Sequence, residues 1–423
     1  MRCKKPFSAG KPTFVIFIML LLASAIGPTQ AQARKFKVLH TFHGRDGAGP
    51  VGVLIRDAAG NLYGTTAGGG TGRCSQEGCG TAFKMDKTGK EIWLHSFKGG
   101  NGLNPYAGLL RDTSGDLFGT TLYGGDTNCV PPEGCGTVFK LDKTGKEKVL
   151  HKFTGVPDGY FPESLLVSDK AGNLYGTTYE GGADSQGAIF KIDTTGTETI
   201  LHSFTGPPEG GGDGAFSYEG VIRDAAGNLY GVTAKGGANG AGVVYELDTT
   251  GKETLLYSFS GGADGGDPDS VLLLDKGNLY GTTANGGTGC GVTGCGVVFK
   301  LSPQSEGTWL ESVLYTFCSL TNCADGESPG DSLIMDRAGN LYGTTYFGGA
   351  YRNCNGDACG VVFKLDATGK ETVLHSFTGG TDGAFPYAGL AIDGSSNLYG
   401  TTGSGGAKCY GSNTCGVVFE LTP

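Results

Sequence analysis

The stretch Asn61-Leu62-Tyr63-Gly64-Thr65-Thr66 decides the fold of this chain. It recurs, with small changes, at positions 116, 173, 228, 278, 340 and 397, so that successive copies are 50 to 62 residues apart. Self-similarity at such a period is the signature of a repeat architecture, in which each copy forms one supersecondary unit. We therefore predict seven structural repeats.

Each copy lies in the same frame of short apolar segments. A segment such as 108–112, ending in Asp, comes before it; a Gly-Gly turn and a segment such as 136–142 come after it. A Thr-Gly-Lys-Glu turn then leads to a segment such as 149–153. These segments are rich in Val, Leu, Phe, Tyr and Thr, which is typical of strands. Four strands in about 55 residues predict an all-β chain, a seven-bladed β-propeller with four antiparallel strands per blade; a long β-solenoid is the alternative.

The order of the segments also predicts how the ring closes. The repeats begin with a lone segment of the outermost type, 38–42, and end on a segment of the third type, 416–421. The first strand is therefore expected to complete the last blade. Such closure leaves no open sheet edge, which would otherwise invite aggregation.

The N-terminal region has the pattern of a signal peptide. A basic head (Arg2, Lys4, Lys5, Lys11) precedes an apolar run at 14–26, and Ala31-Gln32-Ala33 reads as a cleavage site. The apolar run is shorter than the about 20 residues that a membrane span needs; a retained anchor is the alternative. We predict a signal peptide at 1–33, one propeller domain at 34–423, and a secreted or periplasmic protein.

The charge of the chain excludes some partners. The formal net charge is −9, and four of the basic residues lie in 1–33. Nucleic acids and anionic membranes bind proteins through Lys and Arg, so neither is expected as a partner. We expect a monomer with no membrane span after cleavage.

The 80 glycines are best explained by turns between short strands.

The cysteines form close pairs in sequence. Beyond Cys3, five pairs lie between the second and third strand of a repeat and one lies between repeats five and six. The pairs are Cys74/Cys79, Cys129/Cys135, Cys290/Cys295, Cys318/Cys323, Cys354/Cys359 and Cys409/Cys415. Export favours disulfides. Metal binding is the alternative, but this spacing is not a common zinc motif and no His lies in these loops.

The histidines follow the repeat. Five of them occupy one column of the outermost strand, where two blades carry Tyr: His40, His95, His151, His202, His375, Tyr257 and Tyr315. A position that exchanges His for Tyr indicates packing between repeats. The sixth, His43, lies outside this column and next to no nucleophile motif.

Acidic residues form the column that differs most between blades. Just before the Gly or Ser that opens the innermost strand stand Val51, Ala107, Glu163, Glu219, Asp269, Asp331 and Ala388. The four acids belong to consecutive blades and are predicted at the mouth of the central channel, on the face with the variable loops. They suit Ca²⁺ or an acid/base pair acting on a glycoside; a solvated acidic rim is the alternative. We expect no cofactor, with Ca²⁺ as the ion to test.

Aromatic residues are predicted on the same face. Candidate ligand contacts are Tyr123, Tyr179, Tyr346 and Tyr387. Flat rings stack on sugar rings, so rings together with carboxylates favour carbohydrate binding. The alternative is that the rings fill gaps between blades.

The recurring Val-Leu-His-Ser-Phe, Asp-Gly, Asn-Leu-Tyr-Gly-Thr-Thr, Gly-Gly and Gly-Val-Val-Phe-Lys-Leu blocks resemble the GloVer (Gloeo_Verruco) repeat of exported bacterial proteins. The resemblance covers nearly all of 38–422 and implies a propeller, with no established activity or catalytic residues. Two hypotheses follow. The chain is a non-catalytic extracellular binding protein for glycans or a surface protein, or it is a propeller enzyme acting on polysaccharide by hydrolysis or elimination through the four acids.

Overall fold

The computed structural model describes residues 34–74, 78–206, 212–288, 294–354, 357–409 and 415–423. The predicted signal peptide and Cys290 lie outside the described residues. Residues 34–423 form one compact unit. Within the described residues no helix has the length and apolar character that crossing a bilayer requires.

Small antiparallel sheets follow one another along the chain, after a first strand β1 (Lys35–Thr41). Blade one contains β2 (Ile55–Arg56), β3 (Leu62–Thr66), β4 (Thr81–Met85) and β5 (Glu91–Ser96). Blade two contains β6 (Leu110–Arg111), β7 (Leu117–Thr121), β8 (Thr137–Leu141) and β9 (Glu147–Lys152). Blade three contains β10 (Val167–Ser168), β11 (Leu174–Thr178), β12 (Ala188–Ile192) and β13 (Glu198–Ser203).

Blade four contains β15 (Val221–Arg223), β16 (Leu229–Thr233), β18 (Val243–Leu247) and β19 (Glu253–Ser258), together with a separate two-stranded sheet of β14 (Gly212–Ala215) and β17 (Lys235–Gly237). Blade five contains β20 (Gly266–Pro268), β21 (Leu273–Asp275), β22 (Asn278–Asn285), β23 (Val297–Pro303) and β24 (Trp309–Thr316). Blade six contains β25 (Glu327–Pro329), β26 (Ile334–Met335), β27 (Leu341–Phe347), β28 (Val361–Leu365) and β29 (Glu371–Ser376). Blade seven contains β30 (Ala391–Ile392), β31 (Leu398–Thr402) and β32 (Val417–Thr422); two short 3₁₀ turns, Ser305–Gly307 and Thr321–Cys323, flank β24.

The all-β, seven-bladed propeller predicted from the repeat is confirmed. In the last blade β1 pairs antiparallel with β32, with Val38 opposite Phe419. The N-terminal strand therefore lies at the outer edge of a sheet whose other strands come from the C-terminal end of the chain.

The innermost strands are shorter than the predicted segments and span only two or three residues in each blade. Their channel-side residues pair with the neighbouring blade instead of their own sheet, as the parallel bridges Leu165↔Gly220 and Val271↔Ser332 show. The Leu165 amide donates to the Glu219 carbonyl at 3.2 Å. The wall of the channel is thus linked from blade to blade through the backbone.

In blade one, four residues of the recurring stretch have contacts that explain why they recur. The Asn61 side chain and the Tyr63 hydroxyl donate to Asp57 Oδ2 at 2.8 and 3.0 Å, and so fix the turn between β2 and β3. Gly64 leaves room for Phe83, because a Cβ there would lie 2.7 Å from the ring. Thr65 Oγ1 donates to the Ala107 carbonyl of the next blade at 2.8 Å. The residues of the recurring stretch are therefore required for closing a turn, for packing against an aromatic ring and for hydrogen bonds to the next blade.

The hydrophobic core lies between blades. A buried Phe at the end of each outermost strand meets, edge to face, a buried ring in the third strand of the next blade, with centroids 5.0 to 5.4 Å apart. The pairs are Phe42–Phe83, Phe97–Phe139, Phe153–Phe190, Phe204–Tyr245, Phe259–Phe299, Phe317–Phe363 and Phe377–Phe419. Such contacts contribute more than their buried area alone.

Five of the six predicted disulfides are present in the described residues: Cys74–Cys79, Cys129–Cys135, Cys318–Cys323, Cys354–Cys359 and Cys409–Cys415. Cys295 is also disulfide-bonded, while its predicted partner Cys290 lies outside the described residues. The disulfides confirm the prediction made from cysteine spacing.

Candidate functional site

A cavity of about 460 Å³ opens on the axis of the ring, since its lining comes from six of the seven blades. The side chains that give it chemical character are three acids and five rings: Glu163, Glu219, Asp331, Tyr106, Tyr218, Tyr346, Phe385 and Tyr387. No Lys or Arg is among the described residues that line it. The cavity therefore suits neutral or cationic ligands better than anions.

The acidic column predicted from the sequence occupies two different registers. In blades three and five the acid lies three residues before a buried aliphatic residue of the inner wall, as Glu163 does before Leu166. In blades four and six it lies two residues before, as Asp331 does before Leu333. The acid directly follows Pro162 in blade three and Pro268 in blade five, whereas one residue separates it from Ser217 in blade four and from Pro329 in blade six.

Asp269 and Tyr387 join two blades that are not neighbours. The Tyr387 hydroxyl, from blade seven, donates to Asp269 Oδ2 in blade five at 3.0 Å. The other carboxylate oxygen, Asp269 Oδ1, is buried and has no hydrogen-bond partner among the described residues. Burial raises the pKa of Asp269, although the hydrogen bond from Tyr387 acts against that rise.

Glu219 lies at the centre of the acidic cluster. Its carboxyl group lies close enough to those of Asp331 and Asp269 to donate a hydrogen bond to one of them when it is protonated. Burial raises the pKa of Glu219 well above its usual range, and the charges of Asp331 and Asp269 raise it further. Carboxyl groups that are buried together raise one another's pKa, so this cluster is expected to keep a proton at a pH where isolated carboxyl groups are ionised.

Asp331 is the most buried of the four acids, with 5% of its surface exposed. Burial raises its pKa to about 6, while hydrogen bonds from Glu219 and from the backbone amides of Gly389 and Val271 hold it down. Its Oδ1 atom has no partner among the described residues. Since one proton on Glu219 satisfies only one neighbour at a time, the cluster retains a buried oxygen able to accept a further donor.

Glu163 extends the cluster to blade three. Burial raises its pKa to about 7, with a smaller contribution from the charge of Asp269. The structure thus brings the four predicted acids together, with Glu163, Glu219 and Asp331 on the cavity wall and Asp269 held behind Tyr387.

The predicted aromatic contacts divide into two groups. Tyr346 and Tyr387 line the cavity, and Tyr346 stacks on Phe385 with centroids 5.0 Å apart. Tyr179 reaches the site through Tyr218, on which it stacks at 4.7 Å. Tyr123 packs edge to face on Phe161, outside the described cavity lining.

Tyr218 is a cavity residue that sequence reasoning missed. It directly precedes Glu219, just as Tyr106 and Tyr387 directly precede Ala107 and Ala388. A Tyr directly before the non-uniform position, present in blades two, four and seven, was therefore the available signal.

Metal-compatible clusters lie elsewhere in the described chain. Three groups have ligand atoms within 4.8 Å of one another: Cys295/Cys318/Cys323, His40/Asp46/Glu91 and His202/Asp213/Glu253. The three cysteines are disulfide-bonded and so offer no thiolates. Ca²⁺ at the four acids stays a prediction.

The repeat and the fold agree with comparisons to known proteins. The model of the Gloeobacter/Verrucomicrobia repeat matches residues 28–212 and 169–419, and the chain belongs to this repeat family. No curated protein matches the chain in sequence. The family predicted from the recurring blocks is thereby confirmed.

Solved structures resemble the chain in fold at low sequence identity. A streptogramin B lyase is 13% identical with a TM-score of 0.56, covering 92% of this chain and 97% of its own. A catalytically inactive virginiamycin B lyase from Staphylococcus aureus, solved with quinupristin, is 12% identical with a TM-score of 0.56, covering 92% and 99%. A fungal alcohol oxidase in complex with copper is 14% identical with a TM-score of 0.57, covering 93% and 77%. At such identities the likeness extends to the fold alone.

Proposed function

We propose that this chain is an exported propeller that binds the end of a glycan in its central cavity. The observation that supports this is the convergence of five rings and three carboxyl groups on one cavity of about 460 Å³. Ligand sites commonly enclose about 300–1,000 Å³ and combine apolar walls with a few polar groups. Rings stack on the apolar faces of sugars, and carboxylates accept hydrogen bonds from their hydroxyl groups.

The charge of the cavity further limits the class of glycan that we expect it to bind. With no Lys or Arg in its described lining, the cavity offers no cationic partner to a uronate, sulfate or phosphate group. Ionised carboxylates would repel such groups. We therefore expect a neutral or amino sugar.

The proposal is tested by screening the protein against immobilised glycans and measuring the affinity for each hit by calorimetry. Tyr218→Leu removes a ring of the cavity wall and is expected to weaken binding at least tenfold. Tyr351→Leu is the matched control, because Tyr351 is 46% exposed and outside the described cavity lining. A screen without hits, or hits that bind equally to a folded Tyr218→Leu variant, would refute the proposal.

A second candidate, catalysis on the bound glycan, is favoured by the protonation of the acids. Burial raises the pKa of Glu163 to about 7 and that of Asp331 to about 6, and the pKa of Glu219 lies higher still. A neutral carboxyl group beside an ionised one is the arrangement that general acid and base catalysis of glycosides requires.

Catalysis is separated from binding by Glu163→Gln, which keeps the shape of the side chain. In an enzyme this variant is expected to bind each hit but to lose turnover by at least a hundredfold, measured as released reducing ends or unsaturated products. The exposed Glu133 on the same face supplies the control variant Glu133→Gln. Equal turnover in both variants would exclude Glu163 as the acid, and binding without turnover in the unaltered protein would leave the binding function alone.

A further inference from the structure

Histidine and carboxylate side chains meet where adjacent blades join at their outermost strands. A His in one blade faces an Asp in the following loop, and the Glu that opens the next outermost strand lies beside them. Between blades three and four, His202 Nε2 lies 3.0 Å from Asp213 Oδ2 and 3.9 Å from Glu253 Oε2. This trio is part of the repeat and accounts for the histidine column.

The junction between blades seven and one carries an additional ligand. There His40 Nε2 lies 3.1 Å from Asp46 Oδ2 and 3.7 Å from Glu91 Oε2. His43, the one histidine outside the repeated column, places Nδ1 3.6 Å from the same Asp46 Oδ2. We call His40, His43, Asp46 and Glu91 the seam cluster, because β1 and β5 meet there.

We propose that the seam cluster is a binding site for a divalent transition-metal ion, with Zn²⁺ as the best match. Two imidazoles and two carboxylates are a donor set that Zn²⁺ accepts, whereas Ca²⁺ and Mg²⁺ favour oxygen ligands. This inference does not depend on the proposed function, since the seam cluster lies at the rim of the ring and shares no residue with the cavity.

The distances within the seam cluster agree with a single ion. Zinc lies about 2.0–2.2 Å from nitrogen and oxygen ligands, so neighbouring ligand atoms of a tetrahedral site are roughly 3.3–3.5 Å apart. The measured separations of 3.1, 3.6 and 3.7 Å fall around this value. His40, Asp46 and Glu91 have ligand atoms within 4.8 Å of one another, and the side chain of His43 would have to turn towards them to complete the site.

The carboxylates of the seam cluster are oriented and available. Asp46 Oδ1 accepts the backbone N–H of His43 at 2.7 Å, which turns Oδ2 towards the two imidazoles. Glu91 Oε1 is buried and has no hydrogen-bond partner among the described residues. Within the described chain, the ion pairs of Asp46 and Glu91 involve histidine only. A cation would supply the charge that these two carboxylates lack.

The other junctions lack at least one member of this set. Thr205 stands where His43 would be needed beside His202, and Asn101 replaces the Asp after His95. Between blades six and seven, Phe36 takes the place of the Glu and stacks on His375 at 3.9 Å. The other junctions therefore serve as natural controls, because each lacks at least one of the four proposed ligands.

Because the seam cluster joins β1 to blade one, a bound ion would tie the N-terminal strand to the first blade. An ion that binds only the folded ring raises its stability in proportion to its affinity and concentration. We therefore expect Zn²⁺ to raise the Tm, although the cluster lies far from the cavity lining.

The test is calorimetric titration of the chelator-treated protein with ZnCl₂ at pH 7.5, followed by thermal unfolding with and without Zn²⁺. One site is expected with a Kd in the micromolar range or below, together with a rise in Tm. The variant His43→Thr, which copies the junction after blade three and alters a side chain that is 65% exposed, is expected to weaken this site at least tenfold and to abolish the rise.

Two further measurements keep the result unambiguous. Asp213→Asn, at the junction without a fourth ligand, should leave Zn²⁺ binding unchanged. Co²⁺ at the seam cluster should give the strong visible absorption of a tetrahedral site, and His43→Thr should remove it. Absence of a site tighter than about 100 µM, or equal Zn²⁺ affinity in His43→Thr and the unaltered protein, would overturn the proposal.

Discussion

The Tyr387 hydroxyl donates to Asp269 Oδ2 at 3.0 Å and so connects blade seven to blade five past the blade between them. The backbone links at the channel wall join neighbouring blades, as Leu165 and Glu219 do. The side-chain link therefore adds a connection that the sheet topology does not provide. It also fixes a ring of the cavity wall against the acidic cluster.

Tyr387→Phe is expected to lower both stability and ligand affinity. Loss of the hydroxyl leaves the buried Asp269 carboxylate without its donor, which costs about 1–3 kcal/mol. Urea unfolding should report this loss, and it should be larger at pH 8 than at pH 5, because a protonated Asp269 needs the donor less. Tyr351→Phe, at an exposed ring, should leave the unfolding midpoint unchanged. Equal midpoints for both variants would show that the link between blades contributes nothing.

The stability of the propeller is expected to fall as pH rises from about 5 to 8. Burial, with a neighbouring Asp, raises the pKa of Glu198, Glu311 and Glu371 from 4.5 to about 7. Glu198 faces His151 and Asp158. Glu311 faces Tyr257 and Asp264. Glu371 faces Tyr315, Asp325 and Arg34. A raised folded-state pKa gives stability that is complete below pH 4.5 and is lost as pH passes 7. Denaturation at both pH values measures this directly.

A glutamate variant locates the origin of this pH dependence. Glu311→Gln cannot ionise, so its unfolding free energy should exceed that of the unaltered protein at pH 8 and resemble it at pH 5. Glu306→Gln, at an exposed site close in sequence, is the control and should follow the unaltered protein at both pH values. If Glu311→Gln shows the full pH dependence, Glu311 is not one of its sources.

The glycine of the recurring stretch is expected to be intolerant of alanine. At Gly119 a Cβ would lie 2.7 Å from the buried Phe139 ring and 3.1 Å from Leu109. Overpacking of this kind costs about 1–3 kcal/mol, so the Tm of Gly119→Ala should fall. Gly394→Ala is the matched control, because nothing lies within 4 Å of a Cβ at that position. A Tm as high as that of the control would mean that the recurring Gly is not required for ring packing.

Removal of the disulfide Cys129–Cys135 should destabilise the protein modestly. Its short loop limits the entropy that it removes from the unfolded chain, which gives about 2 kcal/mol for a loop of this size. The double variant Cys129→Ser/Cys135→Ser should unfold at lower urea concentration and retain its fold by circular dichroism. Alkylation of the native protein checks the assignment independently, since disulfide-bonded cysteines should react only after reduction. An unchanged urea midpoint would show that the crosslink does not stabilise the ring.

The fold could be predicted because the Asn, Tyr and Gly of the recurring stretch make the same contacts in most blades. Asn61, Tyr63 and Gly64 act through turns and ring packing within a blade, and these contacts repeat with the sequence. The lengths of the innermost strands could not be predicted in this way. Their hydrogen bonds go to the next blade, and a local pattern of apolar residues carries no information about that partner.

The candidate site was predicted only in part. The four acids drew attention because they differ between blades, but the distance of each acid from the buried aliphatic residue of the inner wall and the place of Tyr218 are seen only in the structure. Similarly, the histidine column was visible while its partners Asp46 and Glu91 were not, because they come from a loop and from the next blade. Contacts between blades join residues far apart in sequence, so only the assembled ring reveals them.

The pairing of β1 with β32 has a consequence for the order of events during folding. Within the propeller β1 is the first strand to be synthesised, and its partner β32 is the last. Until then β1 is an unpaired strand, and the closing contact carries a large loop-closure cost. Non-local pairing of this kind slows folding and prolongs exposure to aggregation. The ring can thus close only once β32 is available, and a chain shortened by its last ten residues would lose this strand of blade seven and with it the pairing partner of β1.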